Sequence, residues 1–197
     1  MTRDDVLDLL RQTLFQPREA ARLLIDMRLP SQWLWLALVL MAILNSIFYT
    51  LSVQINPPTD PSAALMPPVF QAPILFAVLL FGALALTVIA LSFVGQGLGG
   101  AAEMTDILVL LTWLQVLRLL VQAGVLVLAL GAPALAAIAV IVSAVWGVYI
   151  LIGFVDAAHR FDNRFKAAGV IVLSFVAMAI GLSTLLSLVG IFTMRGG

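Results

Sequence analysis

Residues 107–130 read ILVLLTWLQVLRLLVQAGVLVLAL, an apolar run whose only charged residue is Arg118. A helix needs about 20 apolar residues to cross a hydrocarbon core of about 30 Å, and this run meets that length. Four further runs of similar character occur along the chain. They span residues 33–53, 73–94, 133–155 and 167–192. The pattern predicts five transmembrane helices, and the short third connection predicts an antiparallel hairpin.

The composition also indicates a membrane protein. Hydrophobic residues make up 63% of the chain and charged residues 10%, whereas soluble domains average about 45–50% and about 25%. A soluble fold of this length could not bury so much apolar surface, so the excess must face lipid. We therefore predict an all-α integral membrane protein, with a membrane domain at residues 33–197 and cytoplasmic or interfacial amphipathic helices at residues 1–32.

The cations of the sequence predict its orientation. Five arginines precede the first run, and Arg160, Arg164 and Lys166 lie between the fourth and fifth runs. Five spans place these two groups on the same side of the membrane, and the positive-inside rule assigns that side to the cytoplasm. We predict a cytoplasmic N-terminus and a C-terminus outside.

The N-terminal segment shows the pattern of two short amphipathic helices. Val6, Leu10 and Leu14 recur every four residues, which is a helical spacing. Pro17 suits the first turn of a second helix. Two interpretations stay open: both helices lie on the cytoplasmic membrane surface, or they pack on the protein's own cytoplasmic loops.

A glycine cluster separates the second and third runs. Gly95, Gly97, Gly99 and Gly100 permit tight turns and close approach of the backbone. No Gly-Lys-Ser/Thr follows, so the cluster is not a phosphate-binding loop. Asp106 comes shortly after the cluster, and we expect it to cap the third membrane helix.

Small residues recur at four-residue spacing in the last two runs. They are Ala139, Ser143 and Gly147 in the fourth run and Ala177 and Gly181 in the fifth. Such faces let helix backbones approach closely in lipid. We expect them to mediate packing within the bundle, and a homodimer face is the alternative.

Arg118 lies near the middle of its run, where a charge costs at least about 2.5–3.5 kcal/mol on insertion scales. Gln115 and Gln122 fall within about 60° of it around a helix. We expect this polar stripe to face the bundle interior. No Asp or Glu lies at mid-depth in any run. Arg118 then bonds backbone carbonyls and the glutamines and extends toward water, pairs with a loop carboxylate folded inward, or binds an anion such as a lipid phosphate.

Residues 156–166 form the densest charged stretch. Arg160, Arg164 and Lys166 are candidates for binding anionic lipid headgroups, and solvated charge that only sets the topology is the alternative. His159 is the only histidine and has no nearby histidine or cysteine partner, which argues against a metal site. It also lacks an evident nucleophile to activate. We expect no catalytic activity, no metal and no cofactor.

Several of these segments resemble the Yip family, the Ypt/Rab-interacting membrane proteins, in its bacterial five-span form. The resemblance rests on Phe15-Gln16-Pro17, on residues 99–106 (GGAAEMTD), on Trp113-Leu114-Gln115 and on the short third connection. It implies the five-span fold, residence in a bacterial inner membrane, and a membrane-organising or partner-binding function. Eukaryotic members are associated with small GTPases and vesicle traffic. Only about 32 residues precede the first run here, so the resemblance does not imply a long GTPase-docking domain.

The sequence therefore predicts a non-enzymatic protein that binds lipids or protein partners, in membrane organisation or trafficking. Anionic lipids, a second copy of the chain or another membrane protein are the expected partners. The net charge of +0 gives no general attraction to nucleic acid. The alternative is a small transporter or lipid-translocating protein that uses the stripe of Gln115, Arg118 and Gln122.

Overall fold

The computed structural model describes residues 3–55 and 72–195, and within these ranges it contains seven α-helices and no strand. Two short helices precede five long ones. In chain order they are α1 (Arg3–Phe15), α2 (Pro17–Asp26), α3 (Ser31–Ile55), α4 (Pro73–Gly97), α5 (Met104–Gly131), α6 (Pro133–His159) and α7 (Arg164–Arg195).

The five long helices confirm the predicted fold class. Each of them is long and apolar enough to cross a membrane. The helices contain the predicted runs and extend beyond them by up to four residues, because a helix continues through its polar caps after the apolar stretch has ended. The protein is therefore an all-α integral membrane protein with five spans.

The long helices form a ring in which each packs on two neighbours. The order around the ring is α3, α4, α7, α6 and α5, and α4 also contacts α5. Ala132 alone joins α5 to α6, where its amide donates to the Leu128 carbonyl and its own carbonyl accepts from Ala136. This confirms the antiparallel hairpin predicted from the short third connection.

The short N-terminal helices pack on the bundle. α2 begins at Pro17, and it buries one face (Pro17, Ala20, Ala21 and Leu24) against α6 and α5. Helix α1 packs mainly on α2, while Leu7 and Phe15 of α1 stay exposed. Helix α2 thus packs on membrane helices of its own chain, whereas the two interpretations offered the membrane surface or the cytoplasmic loops.

The apolar core lies at one end of the bundle. No residue of α5 after Leu117 is buried, and none of α6 between Ala136 and Ile150 is buried. The buried residues of α7 likewise lie in its first half, as far as side chains are described, and those of α3 end at Ser46. We call this packed end, where α2 docks, the α2 end. The opposite halves of α5 and α6 form a hairpin, and the other described helices leave its side chains partly or largely exposed.

The two small-residue stripes show no close helix approach at their glycines. Ala139, Ser143 and Gly147 are half-buried, and Ala177 and Gly181 are exposed. A Cβ added at Gly147 or at Gly181 would meet no atom within 4 Å. Both stripes lie outside the packed α2 end, and their packing role within the bundle stays a prediction. A homodimer face stays a prediction.

Candidate functional site

Three segments of the chain meet at the α2 end. They are the hairpin of α1 and α2, the glycine turn (residues 98–103) between α4 and α5, and the charged turn (residues 160–163) between α6 and α7. The sequence predicts the same three segments as the cytoplasmic face, and the structure brings them together.

A buried carboxylate ties these segments to one another. Asp156 is wholly buried in the last turn of α6, and its Oδ2 lies 3.0 Å from Nε of Arg18 in α2. Its Oδ1 accepts a hydrogen bond of 3.0 Å from the Asn163 amide. The same guanidinium donates through Nη2 to Asp162. One arginine thus links α2 to both α6 and the charged turn, although the two chain segments are far apart in sequence.

Close packing and two indole donors hold the bend between α1 and α2. A Cβ on Gly153 would lie 2.8 Å from Cγ of Pro17, so only glycine lets the α2 N-terminus approach α6 this closely. Trp113 Nε1 donates to Thr13 Oγ1 at 3.0 Å, and Trp146 Nε1 donates to the Leu14 carbonyl at 3.0 Å. Trp146 precedes Asp156 by ten residues, or about 15 Å of helix, so the bend lies alongside the bundle rather than on its end.

His159 fills the space between α4 and the glycine turn. Its Nε2 donates to the Leu91 carbonyl at 3.1 Å, and its own carbonyl accepts from the Ala101 amide at 3.1 Å. A Cβ on Gly95 would lie 2.1 Å from the ring, and one on Gly100 would lie 2.3 Å from it. The glycine cluster therefore permits close approach, as predicted, and the group it admits is this imidazole.

The structure corrects the position of Asp156 to His159. These four residues are helical and buried, whereas the sequence places them in a charged loop. The helix continues because its core-facing side chains find partners at the α2 end, and it stops at Arg160, which adopts a left-handed conformation with φ 56°. Such a residue is a common helix terminator.

The three predicted lipid-binding cations are exposed and lie around this end. Lys166 Nζ lies 4.4 Å from the centroid of the Phe161 ring, and that ring stacks on His159 at 5.1 Å. Arg164 lies over Tyr149 with its Cζ 5.8 Å from the ring centroid. Both geometries allow a cation–π attraction, which holds the two cations near the bundle while their charges stay accessible.

One cleft opens at the α2 end, and a second opens beside the bundle at the bend between α1 and α2. The first has a volume of about 360 Å³ and lies between α2, the last turn of α6 and the charged turn. Its charged lining residues are Arg18, Arg22, Asp26, Asp106, Asp156, Arg160 and Asp162. The second, of about 460 Å³, lies at the bend between α1 and α2, where Phe15, Pro17, Tyr149 and Arg164 line it together with Gln16, Arg18 and Glu19.

Asp106 caps α5 as predicted. Its Oδ2 accepts from the Glu103 amide at 3.0 Å, and the Glu103 side chain accepts in return, which completes a reciprocal capping box. Among the described residues, no three His, Cys, Asp or Glu side chains are arranged to hold a metal ion.

The polar stripe of α5 is divided between the core and the outer surface. Gln115 is buried, Gln122 is half-buried and Arg118 is exposed, so Arg118 does not face the interior as expected. The stripe covers an arc of about 60° and straddles the edge of the packed face. Arg118 also lies just beyond Leu117, where the core of α5 ends. It lines neither of the two clefts.

Sequence reasoning missed Arg18 as a site residue and gave His159 no structural role. The sequence did offer one sign that Asp156 is paired. It follows directly on an apolar run, where a carboxylate needs a partner. Nothing local in the sequence identifies Arg18 as that partner rather than another of the N-terminal arginines.

Comparison with curated proteins found no match, and comparison with solved structures found none either. The Yip1 domain family model matches residues 11–185, which include α2 to α6 in full and the first part of α7. The match covers α2, the glycine turn and the charged turn together with the spans that carry them, and this integral membrane protein belongs to the Yip1 domain family.

Proposed function

We propose that this protein is a non-enzymatic membrane adaptor whose α2 end binds a partner protein at the cytoplasmic surface. The first cleft is the observation that carries the proposal, since it combines α2, the last turn of α6 and the charged turn into one charged surface. Yip family proteins are membrane proteins that interact with Rab/Ypt partners, and a protein partner is consistent with that. The cytoplasmic orientation rests on the eight cations that precede the first span or follow the fourth.

Some charged side chains of the first cleft are paired within the chain, and others are free to contact a partner protein. Arg18 is occupied by Asp156 and Asp162, and Asp106 is occupied by its capping box. Arg22 makes only an exposed contact of 3.5 Å with Glu19. Arg160 and Asp26 form no ion pair among the described residues. Arginine in an open polar cleft is typical of a surface that pairs with carboxylates of another protein.

A photocrosslinking experiment tests this docking. A photoreactive amino acid at Asp26, which lines the first cleft, is expected to form a discrete protein adduct in native membranes. The double charge reversal Arg22→Glu/Arg160→Glu is expected to abolish that adduct, because the long-range charge complementarity is lost. Both arginines are exposed, so the unfolding temperature in detergent should stay unchanged.

The matched control carries the photoreactive residue at Val172, which is exposed on α7 away from the cleft. It is expected to give lipid adducts and no charge-dependent protein adduct. Identical protein adducts from both positions, or an adduct from Asp26 that survives the charge reversal, would contradict docking at the first cleft.

A second candidate function, retention of anionic lipid, is favoured by the second cleft. Arg164 offers a cation beside the apolar ring of Phe15, which is 66% exposed, and such a pairing suits a headgroup phosphate and its acyl chain. The neighbouring Phe165 is 91% exposed, and we propose that it lies at the membrane interface. The transporter alternative requires a cavity at the polar stripe, and neither of the two clefts is lined by Gln115, Arg118 or Gln122.

Native mass spectrometry tests the lipid site. In detergent supplemented with phosphatidylglycerol, Arg164→Gln is expected to lower the fraction of protein that retains lipid several-fold, since each cation near an anionic surface is worth about 1 kcal/mol. Lys166→Gln is the matched control, because Lys166 lies outside the second cleft. Equal losses in both variants would indicate general attraction of cations instead of a site.

A further inference from the structure

Arg118 is exposed on the outside of the bundle at the middle of α5. It lies twelve residues after Asp106 and thirteen before Gly131, which is about 18–20 Å of helix on either side. The described residues provide it with no hydrogen bond and no ion pair. A charge at this depth is costly, and the half-thickness of the hydrocarbon core, roughly 15 Å, is more than one side chain can span to reach a headgroup phosphate.

The two glutamines next to Arg118 also lack partners. The Oε1 atoms of Gln115 and Gln122 are buried and accept no hydrogen bond from the described groups. A buried carbonyl oxygen without a donor is unfavourable, and in lipid no water replaces the donor. Arg118 and the two glutamines, which share one arc of α5, therefore have unused hydrogen-bonding atoms in the isolated chain.

This arc belongs to the part of the molecule that the chain covers least. Beyond Leu117, every residue of α5 is at least partly exposed. The apolar neighbour Val121, about 60° from Arg118 around the helix, is 41% exposed. Acyl chains pack well on such apolar side chains, but they offer no hydrogen-bond acceptor to a guanidinium at this depth. Another membrane helix could supply both the apolar contacts and an acceptor.

The described residues of the chain offer no carboxylate at this depth. Nine of its ten acidic residues lie in the described ranges, and all nine belong to α1, α2 or the α2 end. The tenth, Asp60, lies outside the described residues. A second copy of the chain, inserted in the same orientation, would present the same acidic residues at the same depths. Charge complementarity therefore favours a different protein.

We infer that the face of α5 around Arg118 docks a transmembrane helix of another protein that carries an Asp or Glu near the bilayer centre. The carboxylate accepts hydrogen bonds from the Arg118 guanidinium, and the amide nitrogen of the half-buried Gln122 is a further donor on the same arc. This interface is separate from the two clefts and does not depend on them. It gives the adaptor a contact within the membrane.

A synthetic partner helix tests the inference. The probe is a leucine–alanine peptide of about 25 residues with one central Asp, and its matched version carries Asn instead. Both are reconstituted with the protein in phosphatidylcholine nanodiscs, and association is followed by energy transfer to a dye on Ala134→Cys, which lies at the exposed start of α6. The chain has no native cysteine, so labelling is specific.

The Asp peptide is expected to associate about tenfold more tightly than the Asn peptide, a difference of about 1.4 kcal/mol. Arg118→Leu is expected to remove this preference without lowering the unfolding temperature, because it deletes an unpaired charge. The control variant Arg118→Leu/Leu120→Arg moves the cation about 160° around α5 and is expected not to restore it.

Four outcomes would overturn the inference. Equal binding of the Asp peptide to the moved cation would show that any exposed arginine suffices. Binding of the Asp peptide only after Asp60→Asn would show that Asp60 neutralises Arg118 within the chain. Complete displacement of the peptide by phosphatidylglycerol would identify a lipid phosphate as the partner. Self-association of the protein that is lost in Arg118→Leu would identify a second copy.

Discussion

The variant Gly95→Ala is expected to lose about 3 kcal/mol of unfolding free energy, at the upper end of the range for overpacked cores. The added methyl group would lie 2.1 Å from Cε1 and Nε2 of His159. The imidazole has no free space to move into, since it is buried, donates to the Leu91 carbonyl and stacks on Phe161. Thermal unfolding in detergent, followed by circular dichroism, should show a midpoint lowered by roughly 6–12 °C.

Two control variants separate this clash from a general effect of removing glycine. Gly82→Ala alters the same helix where a Cβ meets no atom within 4 Å, so its midpoint should stay the same or rise, because alanine favours helix by about 1 kcal/mol. The double variant Gly95→Ala/His159→Ala should regain part of the loss, since the ring that causes the clash is gone. Equal midpoints for Gly95→Ala and Gly82→Ala would contradict the described packing of His159.

The variant Arg18→Ala is expected to lose a similar amount, about 3 kcal/mol. It leaves the wholly buried Asp156 carboxylate without the guanidinium that lies 3.0 Å away, and an uncompensated buried charge is strongly unfavourable. Because Arg18 also joins α2 to the charged turn, the N-terminal hairpin should separate from the bundle first. Limited trypsin digestion should then cleave at Arg22 and Arg28 faster than in the unaltered protein.

Matched variants of the partner carboxylates test the assignment of this loss to Asp156. Asp162 is 77% exposed, so Asp162→Asn should cost at most about 1 kcal/mol. The double variant Arg18→Ala/Asp156→Ala should be more stable than Arg18→Ala alone, because no charge is then left buried without a partner. A loss in Asp162→Asn as large as that in Arg18→Ala would instead assign the main role to the exposed pair.

The features that the sequence predicted correctly are local ones. Five apolar runs of sufficient length predict five spans, since the bilayer imposes that length on each helix separately. The cap at Asp106, the helix start at Pro17 and the hairpin at Ala132 likewise follow from a few neighbouring residues. The sequence also identified the three segments of the α2 end, because they carry the polar residues that lie outside the spans.

The directions of the helix faces were not predictable in this way. Helical spacing grouped Gln115, Arg118 and Gln122 on one arc, but it did not show that the arc straddles the edge of the core. In a soluble protein the polar side of a helix faces water. In lipid the outer surface of a span is as apolar as its packed surface, so the pattern does not distinguish them. For the same reason, regular spacing drew attention to Gly147 and Gly181, whereas the close contacts occur at Gly95, Gly100 and Gly153.

The sequence by itself determined that this chain resides in a membrane, how many times it crosses, and approximately where each span lies. Only the tertiary structure decided which arginine neutralises Asp156, which glycines admit His159 and Pro17, and that Arg118 faces outward. The physical reason is that the hydrocarbon core requires each segment to satisfy its length and its backbone hydrogen bonds alone. Pairing between segments depends on distances that arise only when the helices pack together.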